Sequence, residues 1–312
     1  MKKLVTIFSL IMLLLVISAC GKTEKESGVE KEVKESKKIA ILTPFLSSVT
    51  TKQMVDELEI LSKDKGWTSN IIDTNGDVGA LASRMEDVIS SQVDAIVIVS
   101  TDPNQVKSQI QMAKDKGIPV FGSDASFIEG MKMNATSDNS EMSKMITEHL
   151  IEQIGEEGNI IVLSHRPHPG VLERTEVLDE ILRSHPGINV ITEQEIKVPG
   201  PIESARQHME NLLLANKGEN AITAVWAGWD EPAIGAAQAI TAAGRENIIV
   251  TGIDGNSQAI EMIEEGSPIK ATVKQNFVGM AALVIGQIDK VFSGGDVDST
   301  EMYAPAELIE GK

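Results

Sequence analysis

Cysteine occurs once in the chain, at Cys20. A lone thiol excludes an internal disulfide framework and any cysteine-rich zinc site. Histidine is nearly as sparse. Of five, only His165 and His168 are neighbours, with no acidic cluster or cysteine beside them, so no metal is expected. The sequence contains no G-x-x-x-x-G-K-[ST], no G-x-G-x-x-G and no G-x-S-x-G, which removes the usual phosphate cradles and the nucleophile elbow. Its carboxylates show no pairing that reads as acid and base. Neither catalysis nor a cofactor is expected. Aromatic residues make up 3%, with three Trp, one Tyr and six Phe. Each Trp therefore needs an explanation. The apolar run at 4–17 is shorter than the ~20 residues a membrane-spanning helix requires. Positive charge is also in deficit. Lys and Arg total 28 against 46 Asp and Glu, a formal charge of −18.

Lys2, Lys3 and the Lys-rich 21–38 segment carry the local positive excess, so the remainder is more acidic still, at about −21. Such a surface repels nucleic acid and anionic lipid. Its simplest reading is solubility. The opening segment is a secretory signal, with Lys2 and Lys3 ahead of the apolar 4–17 run and a small-residue end at Ser18-Ala19-Cys20-Gly21. That end resembles a bacterial lipobox, which implies cleavage before Cys20 and lipidation of its thiol. The competing role for Cys20 is a buried free thiol. Residues 21–38 alternate Glu and Lys, have almost nothing to bury, and read as a tether. This gives a signal peptide at 1–19, a lipidated tether at 20–38, and a folded body beyond. The length and the 42% hydrophobic content suit two domains.

The body alternates short apolar runs with amphipathic segments. Strands are predicted at 38–42, 69–73, 95–99, 120–121 and 133–136, with helices at 50–65, 77–91 and from Pro103. From Asn139 the scheme repeats: helices at 139–154, 170–183, 201–216 and 256–265, strands at 159–163, 188–195, 221–226, 248–250 and 269–273. A helix at 277–292 follows, then Gly294-Gly295 and a tail. A βαβαβα rhythm predicts parallel sheets with helices on both faces. In such sheets ligands sit at the carboxyl ends of the strands. At 221–255 the strand tips carry Trp229, Asp230 and Asp254. A flat apolar ring beside carboxylates suits a neutral, hydroxyl-rich small molecule.

The runs WDEPAIGAAQAI, IIVTGIDG and IKATVKQN resemble the ribose/galactose-type solute-binding proteins of sugar ABC importers. The ligand-binding half of LacI-type repressors shares the pattern. The resemblance extends from about Lys38 to the C-terminus. It implies the type I periplasmic-binding-protein fold: two Rossmann-like α/β lobes with parallel sheets, joined by a three-strand hinge. The lobes are expected at 39–138 with 276–300, and at 139–275 with 301–312, crossing near 137–139, at Gln275-Asn276 and in the tail. It further implies a monomer on the extracytoplasmic side of the membrane that closes around a sugar or polyol and meets an ABC permease. The alternative is presentation of the ligand to a membrane receptor kinase or chemoreceptor. A repressor is disfavoured, since signal and tether stand where its DNA-binding element would be.

Carried onto this sequence, the resemblance assigns Asp124, Arg174, Asp254 and Gln275 to the ligand. Carboxylates accept from hydroxyls, and Arg donates several bonds from one rigid fork. Asp124 and Asp254 could instead cap helices or turns. Arg174 could form a surface ion pair, and Gln275 could be a plain hinge residue. The sequence also departs from the family. Ala125 stands where an Arg often follows the Asp, Trp229-Asp230 replaces Asn-Asp, and Pro44-Phe45-Leu46-Ser47 replaces an aromatic turn. Ribose or glucose in the usual pose is therefore doubtful. Trp229 is expected to stack on the ligand, Phe45 to supply the opposite wall, and Asp230 to join the contacts. Trp226 reads as core and Trp67 as packing at a helix end. His165, Arg166 and His168 form either an exposed loop or extra polar contacts for a more polar ligand.

Overall fold

The computed structural model describes residues 36–311 except 219 and 246. The expected signal peptide, Cys20 and nearly all of the tether lie outside the described residues.

Six strands form the first sheet: β1 (Lys38–Thr43), β2 (Thr68–Asp73), β3 (Ala95–Val99), β4 (Val120–Ser123), β5 (Met133–Thr136) and β11 (Glu301–Tyr303). Their spatial order is β11-β5-β4-β3-β1-β2, and every pairing is parallel. The central strands are continuous apolar runs. β3 reads AIVIV and is buried throughout, as a parallel strand covered on both faces must be. Helices α1 (Val49–Asp64) and α9 (Phe277–Phe292) cover one face through Met54, Leu58, Met280 and Val284. Helices α2 (Val78–Ser90) and α3 (Lys107–Asp115) cover the other through Leu81, Met85 and Ile110.

The second sheet contains β6 (Gly158–Ser164), β7 (Ile188–Glu195), β8 (Ala224–Ala227), β9 (Ile249–Asp254), β10 (Ile269–Lys274) and β12 (Glu307–Glu310). Their order is β12-β10-β9-β8-β6-β7. Helices α4 (Asn139–Ile154) and α5 (Pro169–Leu182) lie on one face. On the other are α6 (Pro201–Ala215), α7 (Asp230–Ala242) and α8 (Ser257–Glu264). The α6–α7 contact is close because α7 is small-faced. A Cβ on Gly235 would collide with the Ile202 carbonyl oxygen.

Local chemistry sets the helix starts. Asp77 accepts from Ala80 N at 2.9 Å and Asp138 from Glu141 N at 2.8 Å, each satisfying one of the first-turn donors. Pro169 and Pro201 occupy first helical positions, where the missing N–H costs nothing. The chain crosses between the sheets at 137–138, 275–276 and 304–306.

The sheets are mostly parallel, as expected, with β12 alone antiparallel to its neighbour β10. One sequence expectation needs correction: the whole of 301–312 does not belong with the second lobe. β11 extends the first sheet beside β5, and only β12 joins the second. Trp226 is fully buried and donates to Thr147 Oγ1 at 3.1 Å. Trp67 packs edge-on against Phe292 at 5.0 Å. Both occupy the packing roles read from the sequence.

Candidate functional site

The carboxyl ends of both sheets open onto one cavity of about 430 Å³. Its lining includes Phe45, Asp124, His165, Arg174, Trp229, Asp254 and Gln275, seven of the eight positions expected to touch ligand. Three of the strand tips there hold their backbone in the left-handed half of φ space: Ser100 (φ 50°), Asp124 (φ 52°) and Asp254 (φ 137°). Non-glycine residues adopt such φ values at a cost, and they gather where function fixes them.

Asp124 follows β4 and is held by its own amide, which donates to Ala135 O at 2.7 Å. One carboxylate oxygen, Oδ2, accepts from Ser100 Oγ at 3.0 Å. The other, Oδ1, is buried and has no partner among the described residues. No helix follows Asp124, so its carboxylate is not a cap. Burial pushes this carboxyl up from its ordinary range, against the pull of Arg174 and the Ser100 hydrogen bond.

Arg174 projects from α5 and is only 2% exposed, which rules out the surface ion pair. Its Nε donates to Asn139 Oδ1 at 2.8 Å and its Nη1 to Gly228 O at 2.9 Å. Nη1 also lies 3.7 Å from Asp254 Oδ1. Asp254 ends β9. Its Oδ1 accepts from Gln275 Nε2 at 2.8 Å, while Asn256 caps the following helix by accepting from Gln258 N. Asp254 is therefore free of capping duty. Burial raises its carboxyl well above the usual range. Arg174 opposes that rise, and the neighbouring charge of Asp230 adds to it. Gln275 Oε1, also buried, has no partner among the described residues.

Asp230 does not line the cavity. It is fully buried behind it, with Oδ1 accepting from Thr272 Oγ1 at 2.8 Å and Oδ2 from Asn256 N at 2.7 Å. Its carboxyl is pushed up to about 6, mainly by burial. Gly252 makes this placement possible, since any Cβ there would strike Asp230 Oδ1. Asp230 thus braces the β9–α8 turn, a correction to its expected ligand contact. The next residue, Glu231, was not singled out from the sequence, yet it lines the cavity. One position along the first turn of α7 swings the side chain from the sheet to the cleft. Burial raises its carboxyl, while bonds from Ser48 and Trp229 pull it back.

Trp229 is 8% exposed, with the His165 ring edge-on to it at 6.2 Å between centroids. His165 Nδ1 lies 3.1 Å from Ile196 O and 2.7 Å from Glu195 Oε1. Both neighbours are acceptors, so the ring proton belongs on Nδ1. His168 has the opposite tautomer. Its Nδ1 accepts from Val171 N at 3.4 Å, leaving Nε2 as the donor. Burial and Arg174 lower its pKa to about 3. Arg166 is turned away into pairs with Glu193 and Asp179. The 165–168 loop is therefore divided, with two imidazoles in the cavity and the guanidinium outside.

The lobes meet across the cleft at residues Ser48 and Gly76 of the first and Glu231 and Pro199 of the second. Ser48 Oγ donates to Glu231 Oε2 at 3.0 Å. Gly76 abuts the 198–199 backbone so closely that an added Cβ would lie 3.3 Å from Pro199 Cδ. No group of three or more His, Cys, Asp or Glu among the described residues could hold a metal ion. No helix among them is long and apolar enough to cross a membrane.

The sequence model of the periplasmic binding protein domain matches residues 39–296. A ribose import binding protein of Bacillus subtilis is 28% identical, over 99% of this chain and 99% of that protein. A xylitol-binding protein of Mycolicibacterium smegmatis is 25% identical, over 92% of this chain and 80% of that one. Among solved structures, an ABC transporter solute-binding protein from Agrobacterium vitis with bound allitol superposes with a TM-score of 0.85. It is 26% identical and covers 89% of this chain and 96% of its own.

Proposed function

Because the chain belongs to the periplasmic binding protein domain family, we propose that it is the solute receptor of an ABC importer, closing its two lobes around a sugar, polyol or related hydroxylated compound. The observation that carries this reading is convergence. Asp124 from one lobe and Arg174, Asp254 and Gln275 from the other face a single cavity. Asp124 Oδ1 and Gln275 Oε1 offer acceptors to ligand hydroxyls, and His168 Nε2–H offers a donor. Trp229 and Phe45 supply apolar walls for the C–H faces of a sugar ring. Arg174 offsets part of the negative charge, so the guest need not be an ion.

The mechanism is hinge closure. The crossings at 137–138, 275–276 and 304–306 are short, and the lobes can pivot on them without unpicking either sheet. Closure brings Ser48 to Glu231 and buries the guest between two sets of strand tips. The permease would then read the closed form. In this reading the protein works as a monomer outside the cytoplasm, held to the membrane through lipid on Cys20 and spaced from it by the 21–38 tether. Mass spectrometry of membrane-extracted protein checks the anchor. A diacylglyceryl adduct on Cys20, lost in Cys20→Ser, is the expected result.

The test of the site is a thermal-shift screen of pentoses, hexoses, pentitols and inositols against the purified protein. A ligand at 100 times its dissociation constant stabilises by about 2.7 kcal/mol. Asp254→Ala and Arg174→Ala should remove the shift. Retention of full affinity by both variants would falsify the assignment.

A further inference from the structure

The cleft has a polar end and an apolar end, and the sheet topology fixes which is which. Along the second sheet the strand tips run β10, β9, β8, β6, β7, neighbours being about 4.8 Å apart. Gln275 and Asp254 stand at the β10 and β9 tips. Trp229 follows β8, and Val198, Pro199 and Ile202 lie beyond β7. The first sheet is graded the same way, with Asp124 after β4, Ser100 after β3 and Phe45 after β1. The cross-cleft contacts set the alignment. Ser48 meets Glu231 and Gly76 abuts Pro199, so the β1–β2 end of one sheet faces the β8–β7 end of the other. Asp124 faces Arg174 and Asp254 at the opposite end, near enough for their charges to act on one another.

Hydrogen-bonding capacity follows the same gradient. Two fully buried oxygens of cavity-lining residues lack a partner among the described residues, Asp124 Oδ1 and Gln275 Oε1, and both are at the β4–β10 end. At the far end most polar groups are already engaged, the exceptions being His168 Nε2 after β6 and Ser47 Oγ after β1. Glu231 accepts from Ser48, Glu203 is held by Arg206 and Gln207, and His165 Nδ1 is bound at Ile196 O. The rest of the lining there is hydrocarbon: Phe45, Val198, Pro199 and Ile202, with Trp229 between the two ends. An unsubstituted pentose or pentitol carries hydroxyls along its whole length. One that filled this cavity would bury more hydroxyls at the hydrocarbon end than the few open groups there can partner, which is unfavourable.

We propose that the preferred guest is amphipathic: a polyhydroxylated head, held by Asp124, Arg174, Asp254 and Gln275, bearing an apolar substituent of several carbons that lies between Phe45 and the 198–202 segment. This rests on the reading of the cleft as a sugar or polyol site, and it names the class of compound within that reading.

Isothermal titration of the full-length protein with matched compounds tests it. One series is plain pentoses and pentitols. The other is the same compounds carrying methyl, ethyl, propyl or butyl thioethers at a terminal carbon. Affinity should rise about fourfold for each added methylene until the far end is filled. In Ile202→Asn the ratio of substituted to plain affinities should collapse towards one. Val198→Ser serves the same purpose if Ile202→Asn does not fold. Plain compounds binding at least as tightly as every thioether would overturn the substituent and leave the polyol reading standing. An undiminished ratio in the folded variants would overturn its placement. Binding of neither series would overturn both.

Discussion

Asp230 shows how one position decides between ligand and scaffold. Its carboxylate is out of water, held by Thr272 and the Asn256 amide, and its pKa is about 6 instead of 3.8. A carboxyl whose folded value lies above its unfolded value takes up protons on folding. Its ionisation therefore opposes folding above about pH 6. That penalty falls as pH drops through 6 and is gone below the unfolded value near 3.8. The stability gap between wild type and Asp230→Asn should thus move in favour of wild type between pH 7 and pH 4, as measured by urea unfolding at each pH. A gap that moves the other way means the carboxyl is not desolvated. The assignment of Asp124, Arg174, Asp254 and Gln275 to the ligand comes from the family resemblance, and the local pattern is compatible with it because Asp124, Asp254 and Gln275 each follow an apolar run that forms a strand. The sequence could not separate Asp230 from Glu231. They are consecutive residues of one helical turn, and which of them faces the cleft depends on Gly252, twenty-two positions on in another strand. His168 was visible only as part of a loop. Its tautomer depends on the Val171 amide, which sequence alone does not place.

At the level of elements, the α6–α7 pair connects packing to the site. In an exposed helix, Gly→Ala gains about 1 kcal/mol from propensity. At Gly235 the sign should reverse, because the new methyl would meet the Ile202 carbonyl and lie 3.0 Å from Arg206 N. Overpacking of this kind costs about 1–3 kcal/mol. Gly235→Ala should lower the thermal midpoint and, by displacing the start of α6 with Pro201 and Ile202, also weaken ligand. An unchanged midpoint in calorimetry would show that the helices give way freely. The strands and helices were legible element by element, since apolar runs and 3.6-residue periodicity are local. The two edge strands of the tail were not. β11 and β12 are three and four residues long. Nothing in so short a pattern says which sheet it extends or in which direction. The antiparallel β12 and the transfer of β11 to the first sheet follow from where the tail passes, not from its composition.

For the molecule as a whole, closure is the functional variable in the proposed mechanism, and Ser48–Glu231 is the direct hydrogen bond that spans the cleft among the described residues. Glu231→Ala removes the acceptor and leaves the cavity-lining Asp124, Arg174 and Asp254 intact. Its expected effect is faster ligand release with little change in association rate, as is usual when a contact formed after encounter is lost. Stopped-flow tryptophan fluorescence would report it through Trp229. A change confined to the association rate would place Glu231 at the entrance instead of the seam.

The unpartnered oxygens of Asp124 and Gln275 also bear on the empty receptor. In the proposed mechanism, shutting the jaws without a guest leaves both acceptors dependent on trapped water, at up to roughly 1–3 kcal/mol each where none reaches them. Gaping open lets solvent reach them. Vacancy thus carries an energetic handicap, and a shut silhouette becomes a truthful report of cargo. A transporter that docks only against that silhouette would be spared futile cycles of ATP hydrolysis.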